Sequence, residues 1–188
     1  ELIGKFGNFF NRTLNLIWGN FDGRLNYSGQ SGLNDSDHHL VETIRREPTS
    51  IGDLFFRAEF REAYRKIMQY ASEGNVYLVR TAPWNLIKEG KKEEARKTLY
   101  LTLNLCKSLA IVSSPILPET MQRLLNEQLN LDGSINMKGI WDEALQINIP
   151  SSHRINKPEP LYRRIDDDRL QELERHFSKS YSLEELVR

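Results

Sequence analysis

The chain is 188 residues long, 39% hydrophobic and formally neutral, with 26 Lys/Arg against 26 Asp/Glu. That length holds one substantial core, and the apolar content excludes a disordered chain. No apolar run is long enough to cross a bilayer, a single cysteine excludes an internal disulfide framework, and neutrality excludes a grip on nucleic acid by bulk electrostatics alone.

From the amino end, Leu2, Ile3, Phe6, Phe9, Phe10, Thr13, Leu14, Leu16 and Ile17 recur at helical spacing, which predicts a core helix over Leu2–Trp18 with a stop at Gly19-Asn20. Residues 19–35 are rich in Gly, Asn, Ser and Asp and read as an irregular connection. A second helix opens near Ser36 or Asp37, and Pro48, which lacks a donor, predicts a break or kink. The helical pattern resumes by Ile51 or Leu54 and continues toward Tyr77 and Leu78, where Pro83 ends it. Pro83 also predicts extended geometry at Ala82, so that Trp84 leaves the helix on a stiff turn.

Past the basic segment Lys88–Lys92, the stretch from Glu93 to Ser113 is apolar on most sides, which predicts a buried central helix containing Cys106 as a small apolar residue. A shorter helix follows Pro118, from Glu119 to about Gln128. Residues 129–165 read as a wrapping segment with little regular structure, and Asp166, Asp167 and Asp168 mark the start of a last helix, where acids favour the positive end of the dipole. The organisation is therefore an all-α bundle over 1–165, including the wrap 129–165, with 166–188 as a C-terminal helix and tail. The chain opens at Glu1 with helical periodicity already under way and reads as a piece of something larger. The lone cysteine points to a reducing, cytoplasmic setting.

The charge is slightly uneven. Residues 1–112 carry 16 Lys/Arg against 13 Asp/Glu, and residues 113–188 carry 10 against 13. A nucleic-acid reader built on this chain needs specific base contacts and a local patch. Asn8 and Arg12 lie about 40° apart at one edge of the apolar arc of the first helix, and with Trp84 they supply a bidentate amide, a forked cation and a flat ring. This is chemistry that holds and reads unpaired bases. Lys88, Lys91 and Lys92, with Arg96 and Lys97 beyond them, offer phosphate contacts. Taken singly, each feature also has an ordinary structural reading: Trp84 as a core residue, Asn8 and Arg12 as a solvated edge, the lysines as a solvated helix start. His38-His39 beside Asp35 and Asp37 reads as a solvated helix start, not a metal site. No Gly-rich phosphate loop, Ser/His/Asp set or Cys/His ligand spacing occurs, so no catalytic residue is assigned.

Five short motifs occur in order: Gly7-Asn8-Phe9-Phe10-Asn11-Arg12, Phe21-Asp22-Gly23, Phe60-Arg61-Glu62-Ala63, Asn75-x-Tyr77 before Ala82-Pro83-Trp84, and Lys157-Pro158-Glu159-Pro160-Leu161-Tyr162. In this combination, from about residue 1 to 175, the chain resembles the C-terminal anticodon-binding domain of methionyl-tRNA synthetase. Ser151-Ser152-His153 stands where a Gly-His pair is common in that family. The resemblance implies the helix bundle of class I aminoacyl-tRNA synthetases, selecting tRNA(Met) by its CAU anticodon. Its asparagine, arginine and tryptophan fall on Asn8, Arg12 and Trp84, with Trp84 stacking a base and the other two reading the edges of the first and second anticodon bases. It also implies a catalytic domain elsewhere in the parent chain that uses ATP and Mg. The family's ATP-handling signatures do not occur here, and Ser178-Lys179-Ser180 is only an echo of one, so this piece is expected to be inactive alone, cofactor-free and monomeric. Two other readings stand beside this one. The nearer is the anticodon domain of another class I synthetase, and the farther is a helical protein-interaction module with exposed Trp18, Trp84 and Trp141 as anchors.

Overall fold

From Lys97 to Ser113 every residue except Tyr100 is buried, so this segment has protein on all sides. Most of its polar members are satisfied within the protein, as burial demands, the hydroxyl of Ser113 being an exception. Thr102 Oγ1 donates to the Thr98 carbonyl at 3.1 Å, Asn104 Nδ2 to that of Tyr100 at 2.9 Å, and the Ser108 hydroxyl meets that of Tyr70 at 2.8 Å. Cys106 is fully buried among them, and burial pushes its thiol up.

The computed structural model describes residues 2–29, 32–131, 140–162 and 167–180. After a π-helical stretch, Leu2–Gly7, come α1 (Asn8–Phe21), α2 (Asp35–Phe56), α3 (Phe60–Thr81), α4 (Pro83–Lys88), α5 (Lys92–Ser113) and α6 (Pro118–Arg123), the last continued by a π-helical turn, Leu124–Gln128. Two more helices follow, α7 (Ile140–Ala144) and α8 (Asp167–Ser180). Among the described residues the only extended pairing is an isolated antiparallel bridge between Arg24 and Arg154, and the fold is all-α. No helix among them is long and apolar enough to cross a membrane.

The first helix behaves as its spacing predicts, burying Phe9, Phe10, Thr13, Leu14 and Ile17. Phe6 and Phe10 meet edge to face at 4.9 Å. Opposite them, α3 presents Gly74, where a Cβ would come within 2.6 Å of Phe9 Cε2 and 2.7 Å of Leu105 Cδ2; only a glycine lets these three helices approach so closely. Asn75 donates to the Lys5 carbonyl at 3.0 Å, pinning the opening stretch to α3. The helix ends two residues later than Gly19-Asn20 suggests, on Asp22 at φ 51 and Gly23 at φ 75. A side chain at Gly23 would sit 2.9 Å from the Ile155 carbonyl, so the Phe21-Asp22-Gly23 motif is a turn that receives the later chain.

Pro48 does not break the second helix. It lies buried inside α2, which runs unbroken to Phe56. Proline's fixed φ is itself helical, and packing by α7 offsets the lost bond: Trp141 Nε1 donates to the Pro48 carbonyl at 2.9 Å, over Gly52. The chain turns instead at Arg57–Glu59, where Ala58 takes φ 59.

The later wrap is more regular than its composition suggests, because it contains α7. It is laced to the bundle by Ile149 N–H to Asn104 Oδ1 at 3.1 Å, Asn156 N–H to the Gln128 carbonyl at 2.9 Å and Arg154 to Asp22 at 2.8 Å. His153 Nε2 lies 2.6 Å from the Leu129 carbonyl. Of the last unit, Asp166 and residues 181–188 lie outside the described residues, and α8 begins at Asp167.

Candidate nucleic-acid interface

Asn8 and Arg12 stand four residues apart on α1, one turn along the same face. Both are half-buried beside the buried phenylalanines. Trp84 arrives from the other side on α4. Ala82 is not extended, as its following proline predicts, but left-handed at φ 42 and ψ 57. The reason is that it serves two helices at once. Its N–H caps α3 by donating to the Leu78 carbonyl at 3.0 Å, and its carbonyl accepts from Asn85 N–H at 2.8 Å to open α4. Pro83 then takes the first helical position, where its missing donor costs nothing, and is buried. One residue thus joins two helices, and Trp84 sits half-buried in the first turn of the second.

The two elements meet. The Arg12 guanidinium lies over the Trp84 ring, 5.0 Å from its centroid, a contact worth about 0.5–1 kcal/mol at an exposed site and more when water is excluded. Lys88 falls four residues after Trp84, on the same face of α4, and is exposed. Lys91 and Lys92 follow the turn at Gly90, whose φ is 76. Lys91 pairs with Glu89 at 2.9 Å, and that bond holds its ammonium above its ordinary range. Among the described residues Lys88 and Lys92 have no ion-pair partner.

The basic run ends there. Arg96 turns inward over the Phe21 ring at 4.5 Å and donates to the Leu25 carbonyl. Lys97 is 7% exposed, donates to the Gly32 carbonyl at 2.9 Å and pairs with Asp37 at 2.8 Å. Neither belongs to a surface patch, because their partners lie on distant segments that charge spacing does not reveal. Asp37 also accepts from the Tyr77 hydroxyl at 2.6 Å and from Asn34 N–H at 2.9 Å. Burial works to raise its carboxyl, but the bonds from Lys97, Tyr77 and Asn34 outweigh it and hold the group below its ordinary value. Burial, with the bond to Asp37, pushes the Tyr77 phenol up, so the proton stays on the tyrosine. This cluster escaped the sequence reading; its one local signal was the Asn34-x-x-Asp37 spacing of a reciprocal helix cap, which forms here.

On the far side of Asn8, a cleft of about 170 Å³ is lined by Gly7, Asn8, Asn11, Pro160, Leu161 and Tyr162. Tyr162 lies against Gly7, where a Cβ would meet it at 3.0 Å, so the first and last of the five motifs touch. The other two tryptophans are held by the fold. Trp18 lies under Arg154 at 5.8 Å and Trp141 stands edge-on to Phe55 at 6.1 Å, and both are half-buried, as Trp84 is. What the site offers is one indole ring with the Arg12 guanidinium over it, the Asn8 amide one turn away on α1, and exposed cations at Lys88 and beyond.

The family model of the anticodon binding domain of methionyl tRNA ligase matches residues 28–182, a range that contains Trp84 and Lys88 but not α1. The chain is 30% identical over 168 residues to a methionine–tRNA ligase of Saccharolobus solfataricus, covering 89% of this chain and 29% of that protein. It is 34% identical over 167 residues to that of Sulfolobus acidocaldarius, covering 88% and 28%. The fold is also that of part of the apo methionyl-tRNA synthetase of Mycobacterium tuberculosis, with a TM-score of 0.74 at 21% identity over 88% of this chain and 32% of that one. The chain thus spans less than a third of the length of these relatives. By sequence pattern, by fold and by family model, it belongs to the methionyl-tRNA ligase anticodon-binding domain family.

Proposed function

We propose that this domain selects tRNA(Met) by its CAU anticodon. Trp84 stacks an unpaired anticodon base, Asn8 and Arg12 hydrogen-bond the edges of the first and second bases, and Lys88, Lys91 and Lys92 meet the loop phosphates. The observation that carries the reading is the Arg12 guanidinium over Trp84 at 5.0 Å. A guanidinium resting on a ring keeps its N–H fork in its own plane, so it can address the edge of a base while the indole supports a base face. The domain serves a parent ligase that charges the tRNA with methionine at the expense of ATP and Mg, in a catalytic domain of the same chain. The isolated domain is monomeric and does not aminoacylate, and its compartment is the cytoplasm.

The test is a titration with two anticodon stem-loops, one bearing CAU and one altered at its first base, followed by tryptophan fluorescence. CAU binds more tightly. Trp84→Ala removes about 1–3 kcal/mol of stacking, a loss of about 5–150-fold in affinity, together with most of the preference. Equal binding of both loops that weakens in parallel with salt overturns the reading, since phosphate contacts do not distinguish bases.

A further inference from the structure

Building on the assignment of Trp84 as the stacking surface, we propose that Asp37 is a positioning residue for it, fixing through Tyr77 and Lys97 where the end of α3 delivers the ring. Asp37 is fully buried, and its three partners come from three places: Tyr77 from the last turns of α3, Lys97 from α5, and the Asn34 N–H from the head of α2. Beyond Tyr77, three local bonds hold the end of α3 and the start of α4. The Tyr77 carbonyl accepts from Thr81 Oγ1 at 2.8 Å, the Ala82 N–H reaches the Leu78 carbonyl at 3.0 Å, and the Ala82 carbonyl accepts from Asn85 at 2.8 Å. Trp84 lies within that last turn.

Apolar packing does part of this work, since Tyr77 and Leu78 share the core with Leu40, Val41 and Ile44 of α2. Between α4 and the head of α2 there is a cavity of about 310 Å³, lined by Asn34, Ser36, Arg80, Thr81, Leu86 and Lys97 among others. Hydrogen bonds from Tyr77 to Asp37 and from Arg80 to Ser36 add direction to that packing where the end of α3 meets α2. A buried ion pair is weak evidence for stability, because apolar residues of similar volume often serve as well. Its directional geometry is what apolar residues cannot supply. Here that geometry is applied one turn before the helix that carries the tryptophan.

Two variants of the same helix separate positioning from stability. Tyr77→Phe and Tyr70→Phe each remove one buried hydroxyl bond, to Asp37 at 2.6 Å and to Ser108 at 2.8 Å. Urea unfolding and the Kd values for the CAU loop and the altered loop are measured for both, well below the melting temperature. Both variants lose stability, but only Tyr77→Phe narrows the ratio of the two Kd values, by about threefold or more, through weaker CAU binding with the altered loop unchanged. Asp37→Asn, which keeps the shape and loses the charge, narrows it too. An unchanged ratio in Tyr77→Phe and Asp37→Asn overturns the proposal, as does equal narrowing in Tyr70→Phe, which marks general loosening. A wild-type domain that binds both loops equally overturns the reading of Trp84 itself, and does so before any variant is made.

Discussion

Lys97→Met tests the buried pair as a stability element. The substitution keeps an unbranched side chain of similar reach and removes the one cation facing Asp37, whose side chain is 0% exposed while that of Lys97 is 9% exposed. Tyr77 and Asn34 N–H remain as donors. Removing one partner of a buried pair typically costs about 3–5 kcal/mol, a large part of the roughly 5–15 kcal/mol that holds a domain together.

The pH dependence follows from the direction of the carboxyl shift. In the wild type, Asp37 is held below its ordinary 3.8 in the folded state, so its contribution is complete above that value and fades as pH falls through the folded pKa. In Lys97→Met, burial is no longer outweighed and the folded carboxyl rises above its unfolded value. The variant is then relatively better off in acid and loses stability as pH rises toward neutrality. The assay is urea unfolding by circular dichroism at pH 4, 5.5 and 7. The gap from wild type should widen with pH, reaching about 3–5 kcal/mol at pH 7. A gap under about 1 kcal/mol there, or one that does not change with pH, refutes the account of Asp37 as an ion that depends on Lys97.

Two further outcomes follow from the site. Ala82→Gly relieves a left-handed alanine at φ 42, a conformation that costs L-residues about 1–2 kcal/mol; partly offset by glycine's freedom when unfolded, it should raise the melting temperature slightly, and a fall would contradict the αL geometry. Removing Lys88 or Lys92 should weaken both stem-loops alike and lower the slope of log K against log salt by about 0.7 each. Lys91→Ala should change it less because of its bond to Glu89, and a variant that alters the preference between loops would place that lysine on a base.

The sequence announces what depends on near neighbours. The periodicity of α1, the all-round burial of α5 and the helix start near Asp37 are each legible within one segment, because apolar spacing and capping are local. Pro48 and Ala82 depart from a proline's local preference because that preference is a small energy, overridden at Pro48 by distant Trp141 and at Ala82 by the bonds of the two helices it joins. The lysine run divides similarly. Lys88 and Lys92 stay outside while Lys97 is drawn in by an aspartate that spacing cannot connect to it. The contact of Arg12 with Trp84 joins two helices far apart in the chain, and only the ordered motifs hinted at it.

The single-residue joint at Ala82 makes α3 a ruler as well as a support. With no slack between the helices, one residue inserted between Tyr77 and Ala82 would swing the tryptophan by about 100° and advance it about 1.5 Å, carrying the indole off Arg12. The length of that segment is therefore as tightly specified as the identity of the ring it ends on. Drift in this domain should show as changes of residue along α3 and changes of length elsewhere.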